Sequence, residues 1–468
     1  MTHSNPHLTE RRAHRMLHEQ VQAAVYAETL PLQLTAWEAP GEPVAFAEAV
    51  GASYAPMTTG TPWGLPWGTT WLHATGCVPA EWRQREGFDV ELVVDLGFTS
   101  TQPGFQAEGL VRRPDGSAVK AVNPLNQAVP WAREPDAVDV YIEAASNPNV
   151  QGSDPTLPGE GSYRPTLLGR VETAPKEHQY TLRRVDVALR DTEVWELAQD
   201  LTVLLQLVSV LPPSSARRAS IDVALERAID RIDPRNVSAS AAAARAALAE
   251  VLASPASASA HHVMATGHAH IDSAWLWPVR ETKRKCVRTF ASVLELMDHD
   301  PDFVFACSSA QQYLWVKEEQ PELFERIRQR VAEGRFIPVG SMWLESDTNM
   351  PGSEAMARQM IEGKTFFMEE LGVETTDVWL PDSFGYTGSL PQIIRGVGSR
   401  WFLSQKLSWN DSDTMPHHTF DWEGIDGSRV LAHFPPVDTY NACLSAAELV
   451  HAEENFAEKG LATSSIVP

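Results

Sequence analysis

Cysteine is scarce in this 468-residue sequence: Cys77, Cys286, Cys307 and Cys443 stand apart, with no C-x-x-C pair. That spacing excludes a disulfide framework and a cysteine-ligated zinc, and leaves small buried residues or free thiols. No apolar run approaches the ~20 residues of a membrane span, so no membrane partner is expected. Positive charge is short as well, with 38 Lys+Arg against 61 Asp+Glu and a formal charge of −23. So acidic a chain is a poor ligand for nucleic acid or an anionic surface, and suits an enzyme of neutral substrates. The first twenty residues lack the apolar core of a secretory signal, which favours a cytoplasmic protein and makes the triplet Asn236-Val237-Ser238 a chance glycosylation match.

What is present is a globular 43% of hydrophobic residues, over a length that suits two or three domains. Residues 1–59 read as an amino-terminal helix and lead-in, with Leu17, Val21, Ala24, Val25 and Leu30 near helical spacing over 8–30. Residues 60–185 carry short β-rich runs such as Thr69–Ala74, Val90–Leu96 and Val138–Ile142 between Gly and Pro turns, and predict an antiparallel β-sandwich. Its Trp63, Trp67, Trp71 and Trp131 read as core in preference to a carbohydrate-binding face. Residues 186–260 are a helical segment closed by the linker Ser254–Ser259.

From 261 to 468, the runs Val263–Ala265, Phe303–Cys307, Phe336–Val339, Val378–Leu380, Trp401–Ser404 and Val430–Phe434 alternate with patterned helices. This is the signature of parallel strands with crossover helices, an α/β (β/α) barrel-like domain or an open sheet. The 206 residues from Val263 to Pro468 fall short of the ~250 of an eight-fold barrel. The barrel is therefore expected to be incomplete at its carboxyl end, with an unpaired edge that allows a homo-oligomer.

The chemistry gathers on Gly267–Trp277. In extended backbone His268, His270 and Asp272 project to one side, and two imidazoles with a carboxylate make half of a zinc-type shell. Trp275 adds a flat apolar platform that suits a sugar ring, or packs at a barrel rim. Glu345 and Asp347, Asp382 and Asp438 each follow a strand-like run. Singly, such carboxylates are caps or loop acceptors. Together they mark the carboxyl edge where ligand sites of parallel sheets lie, with Glu345 or Asp347 completing a metal shell or acting as nucleophile. His268-Ala269-His270 also matches the HxH of a metal-dependent amidohydrolase, although the middle-strand His of that class is missing. A carbohydrate-binding fragment without activity is the third reading.

His270-Ile271-Asp272 with Trp275, Trp343-x-Glu345-x-Asp347-x-Asn349, Asp382-Ser383-Phe384-Gly385-Tyr386 and Phe420-x-Trp422-x-Gly424-Ile425-Asp426-Gly427 resemble the α-mannosidases of glycoside hydrolase family 38, in the cytosolic-type branch. Trp67–Trp71 and Pro103–Leu110 extend the resemblance to the sandwich. It implies a retaining exo-α-mannosidase with one Zn2+, acting on mannose-containing oligosaccharides. His270, Asp272 and Asp347 would be ligands, Asp347 also the nucleophile, and Asp438 the acid/base with Asp382 in reserve. Trp275, Trp343 and Tyr386 would contact the sugar. Zinc on vicinal hydroxyls would orient the ring while one carboxylate attacks the anomeric carbon and a second carboxyl protonates the leaving oxygen. The resemblance further implies a fourth ligand, a His, beyond Pro468, so the 468-residue chain is expected to hold zinc weakly and to be close to inactive alone. If it holds zinc well, His268 is the candidate fourth ligand.

Overall fold

The structure, a computed structural model, describes residues 6–101, 103–104, 106–133, 136–148, 176–460 and 464–467. Phe105 of the Pro103–Leu110 motif lies outside them. They fall into two compact units, Met1–Leu205 with Pro213–Ala253, and Gln206–Pro212 with Ser254–Pro468. No helix of the described residues is long and apolar enough to cross a membrane.

The first unit opens on the helix Pro6–Met16, continued by the turns Leu17–Val21 and Gln22–Ala24. The helix read over 8–30 stops there, because Leu30 belongs to the strand Tyr26–Pro31, which pairs antiparallel with Arg184–Asp191. So short a run carries too few residues for periodicity to separate helix from strand, and strand pairing decides. Residues 26–59, read as lead-in, supply the strands Tyr26–Pro31, Gln33–Ala39 and Ala55–Met57. A four-stranded sheet runs in the order Tyr26–Pro31, Arg184–Asp191, Phe88–Asp95, Ala128–Trp131. A six-stranded sheet runs Ala55–Met57, Gln33–Ala39, Thr69–Cys77, Ala137–Ala145, Glu108–Arg112, Ala118–Val122.

Strand alternation sends Leu72, Val140, Ile142, Leu92, Val94 and Val187 into one core between the sheets. Trp71 and Tyr141, with Trp37, Phe46 and Tyr54, form a second cluster on the opposite face of the larger sheet. Trp63 and Trp71 are buried and Trp131 packs on the main core, which agrees with the core reading. Trp67 sits in a left-handed turn at φ 62°. The helices Thr192–Val210, Ala216–Ile229 and Val237–Leu252 follow, the last two capped by Ser215 and Asn236.

In the second unit all six strand runs appear, the first split into His262–Ala265 and Gly267–His268. Gly267–His268, Phe305–Cys307 and Phe336–Pro338 form one parallel sheet. Asp377–Leu380, Trp401–Ser404 and Arg429–His433 form another. Two strands were not read from the sequence: Thr419–Glu423, antiparallel to Arg429–His433, and Ser464–Val467, parallel to His262–Ala265. The first parallel strand therefore has a partner within the chain. The helices between bury the faces expected of them, for example Val287, Phe290, Leu294 and Met297 in Val279–His299.

Gly363 shows how tightly one helix backs the site. On Ser353–Leu371 it faces the loop after Phe336–Pro338, where an added Cβ would lie 2.3 Å from the Met342 carbonyl carbon and 2.6 Å from Ser341 O and Trp343 N. Gly363→Ala is expected to destabilise the fold by about 1–3 kcal/mol through overpacking, although Ala is the better helix former. A melting temperature equal to or above that of the unaltered chain would contradict this.

Candidate metal centre

The first sheet ends at His268, and the chain then leaves extended geometry. His268 Nε2 accepts the Trp379 indole N–H at 3.1 Å, and burial lowers its pKa to about 4. Two residues on, His270 stands among carboxylates: Nε2 lies 3.5 Å from Asp272 Oδ1 and 3.1 Å from Asp382 Oδ2, and Nδ1 lies 3.0 Å from Glu345 Oε2. One ligand atom each of His270, Asp272 and Asp382 lies within 4.8 Å of the others, the group among the described residues with the spacing of a metal site.

The donor set fits a cation. Bonds of ~2.0–2.2 Å from one imidazole nitrogen and two carboxylates suit zinc, and three protein ligands are the usual number where a position is kept for water or substrate. Both ring nitrogens of His270 are buried without a well-aligned hydrogen bond, close as their neighbours are. Burial opposes a charge on His270, yet Glu345, Asp272 and Asp382 outweigh it and raise the pKa to about 12. The group thus demands positive charge at its centre. For Asp382, burial raises the pKa, but His270 and Lys406 prevail and hold it below the ordinary carboxylate value.

The support comes from the neighbouring strand ends. Glu345 Oε2 lies beside His270 Nδ1 while Nε2 faces Asp272 and Asp382, the proximity from which a carboxylate can orient a metal-binding histidine. Ser308 Oγ donates to Glu345 Oε1 at 2.5 Å, and the Glu345 peptide N–H donates to Ser309 Oγ at 3.2 Å. Gln312 Nε2 donates to Ile271 O at 2.7 Å and ties down the loop between the two ligands. Glu345→Ala is expected to weaken metal binding about 10–100-fold, measured by competition with a chromophoric chelator. Undiminished affinity would remove Glu345 from this task.

Asp347 is not brought to the group. It is exposed, and its Oδ1 accepts the peptide N–H groups of Asn349 and Met350 at 2.7 and 2.8 Å, while Asp382 occupies the place read for it. Asp438 has φ 59°, and its Oδ2 lies 2.9 Å from both Asn455 Nδ2 and His451 Nε2. From the same loop Tyr440 reaches the site, its ring 5.2 Å from that of His270. Trp275 is 46% exposed and edge-on to Trp277. Trp343 donates its indole N–H to Gln311 Oε1 at 3.1 Å and meets Phe366 edge-on. Tyr386 donates to Leu380 O at 3.1 Å and packs on Phe402 and Trp422. These two aromatics are bonded into the framework and are less exposed than Trp275.

Lys406 escaped the sequence reading. Its Nζ lies 2.5 Å from Asp382 Oδ1. Its place just after the parallel strand Trp401–Ser404 is the one sequence signal it carries, and that signal does not separate it from other polar loop residues.

Residues 260–468 match the family described as glycosyl hydrolases family 38 N-terminal domain, and residues 30–188 the alpha-mannosidase jelly roll domain. The chain is 36% identical over 431 residues to alpha-mannosidase 2C1 of Homo sapiens, covering 91% of this chain and 39% of that protein. It is 33% identical to alpha-mannosidase G of Dictyostelium discoideum, over 88% of this chain and 36% of that one. An alpha-mannosidase of Saccharomyces cerevisiae is 46% identical over 182 residues, 39% of this chain and 17% of its own. The chain spans about two fifths of the length of the relatives that it matches over most of its own.

Proposed function

Because this chain belongs to glycosyl hydrolase family 38 through residues 260–468, we propose that its site hydrolyses terminal α-mannosidic bonds in mannose-containing oligosaccharides, with one zinc ion and retention of configuration. The observation that carries the reading is the convergence of His270 Nε2 with Asp272 and Asp382 while Nδ1 lies 3.0 Å from Glu345 Oε2. When bound, the ion supplies a Lewis-acid anchor for vicinal sugar hydroxyls.

The rest is work for side chains. His270, Asp272 and Asp382 hold the ion, and Trp275 offers its exposed face to the ring. Asp382, the carboxylate at the edge of this group, takes the nucleophile role that the resemblance gave to Asp347, whose oxygen is occupied by its own turn. A second carboxyl must then protonate the leaving oxygen from ~5–5.5 Å away. Asp438 is retained in that role on its loop's passage beside His270, and Asp438→Asn with undiminished turnover would remove it. A barrel-like ring of parallel strands is likewise part of the proposal, supported by the pairing of His262–Ala265 with Ser464–Val467. The match of residues 260–468 to the glycosyl hydrolases family 38 N-terminal domain supports this reading over the amidohydrolase one.

The test is hydrolysis of an aryl α-mannoside by the 468-residue chain and by the protein extended to the length of its relatives, each with and without zinc, followed by NMR of the first anomer formed. Zinc-dependent release of α-mannose is the expected result for the extended protein. β-Mannose first would make the enzyme inverting. Zinc bound with no release in either form would leave a binding protein.

A further inference from the structure

We infer that Lys406 is a positioning residue that divides the two oxygens of Asp382, holding Oδ1 so that Oδ2 alone is offered to a cation between His270 and Asp272. The inference rests on the metal-site reading above.

Lys406 begins the short turn Lys406–Trp409 after the strand Trp401–Ser404, and is 8% exposed. A buried ammonium is costly unless paired. Among the described residues its ion-pair partner is Asp382, at 2.5 Å from Oδ1, a close pair of charges without hydrogen-bond alignment, while Asp382 Oδ2 lies 3.1 Å from His270 Nε2. The remaining sides of the ammonium face aromatic rings, with centroids at 3.2 Å for Trp409, 4.8 Å for Phe384 and 5.0 Å for Tyr440, and the Tyr440 hydroxyl at 3.5 Å. Rings at these distances stabilise a desolvated cation, and the Tyr440 hydroxyl also hydrogen-bonds Asp382.

The consequence is geometric. A carboxylate free to turn about Cβ–Cγ can close on a metal through both oxygens and fill two positions of its shell. With Oδ1 paired to Lys406, Asp382 would give the ion Oδ2 alone, which would leave room for the substrate, as a catalytic rather than a structural site requires. Tyr440, which touches both the Lys406 ammonium and the His270 ring, links the two halves of the arrangement.

The test uses cobalt(II), a visible stand-in for zinc, in the unaltered chain and in Lys406→Met, Lys406→Gln and Lys406→Arg, with affinity and the d–d absorption bands as readouts. In the neutral variants Asp382 should become bidentate, so the bands lose intensity as the coordination number rises, with one cobalt still bound per chain. Lys406→Arg should keep the unaltered spectrum. In the active protein kcat should fall about 10–100-fold in the neutral variants and recover with Arg. Identical spectra in the unaltered and neutral forms would overturn the inference while leaving the metal site intact. Failure of both neutral variants to fold, without rescue by Arg, would make Lys406 structural and overturn it too. No cobalt uptake by the unaltered chain would overturn the metal reading itself.

Discussion

Asp382→Ala is expected to lower hydrolysis of an aryl α-mannoside by about 10⁴–10⁶-fold, the range for deleting a member of a nucleophilic catalytic unit. The argument is one of position. Asp382 Oδ2 lies 3.1 Å from His270 Nε2 and Oδ1 lies 2.5 Å from the Lys406 ammonium, so the carboxylate is ionised, fixed and adjacent to the proposed metal. Its removal should also weaken the metal and leave Lys406 buried without its carboxylate. Added azide should restore turnover in Asp382→Ala and release a mannosyl azide of the opposite anomeric configuration. Asp347→Ala should behave differently, since it loses a surface turn worth about 0.5–1.5 kcal/mol per hydrogen bond and keeps its metal. The reverse result, with Asp347→Ala dead and Asp382→Ala active, would return the nucleophile role to Asp347.

The second large effect is expected at His270. His270→Ala should lower metal affinity by more than the ~10–100-fold of an outer partner, since it deletes a ligand, and bound zinc measured by elemental analysis should fall below one per chain. It should also destabilise the metal-free fold, because Glu345, Asp272 and Asp382, all partly buried, then stand together without their cation. In the metal-free protein the folded pKa of His270 stands above its unfolded value, at about 12. Its stabilising charge is therefore fully present below pH ~6.5 and is lost progressively as pH rises toward 12. Zinc must displace that proton, so binding at neutral pH should release a proton, detectable by calorimetry in buffers of different ionisation enthalpy. Full zinc loading of His270→Ala would contradict the assignment.

Part of this was legible in the sequence. The HxD motif named His270 and Asp272, and the rule that sites lie at the carboxyl ends of parallel strands named Asp382, three residues whose side chains the fold brings together. Alternation failed for His268 because the strand stops there: the backbone between His268 and His270 is no longer pleated, and His268 turns to Trp379 while His270 turns to the carboxylates. The spacing of a motif does not reveal that Asp347 Oδ1 accepts from the backbone of Asn349 and Met350, a competition frequent for Asp in loops. Asp438 sits in left-handed backbone that no pattern of types reveals, and its contacts with His451 and Asn455 come from the following helix. Lys406 was invisible for a different reason: a lone lysine acquires meaning only when folding surrounds it with Asp382, Phe384, Trp409 and Tyr440. In the fold, helix faces were read from long amphipathic repeats, whereas Ser464–Val467 is four residues long and gains its identity from pairing with His262–Ala265.

The most direct test of the central claim is anomalous diffraction at the zinc edge from crystals of the protein grown with zinc. A single peak ~2.0–2.2 Å from His270 Nε2 and from one oxygen each of Asp272 and Asp382 is the expected result. A peak bound by Asp347 or His268 in place of Asp382, or none at saturating zinc, would contradict it.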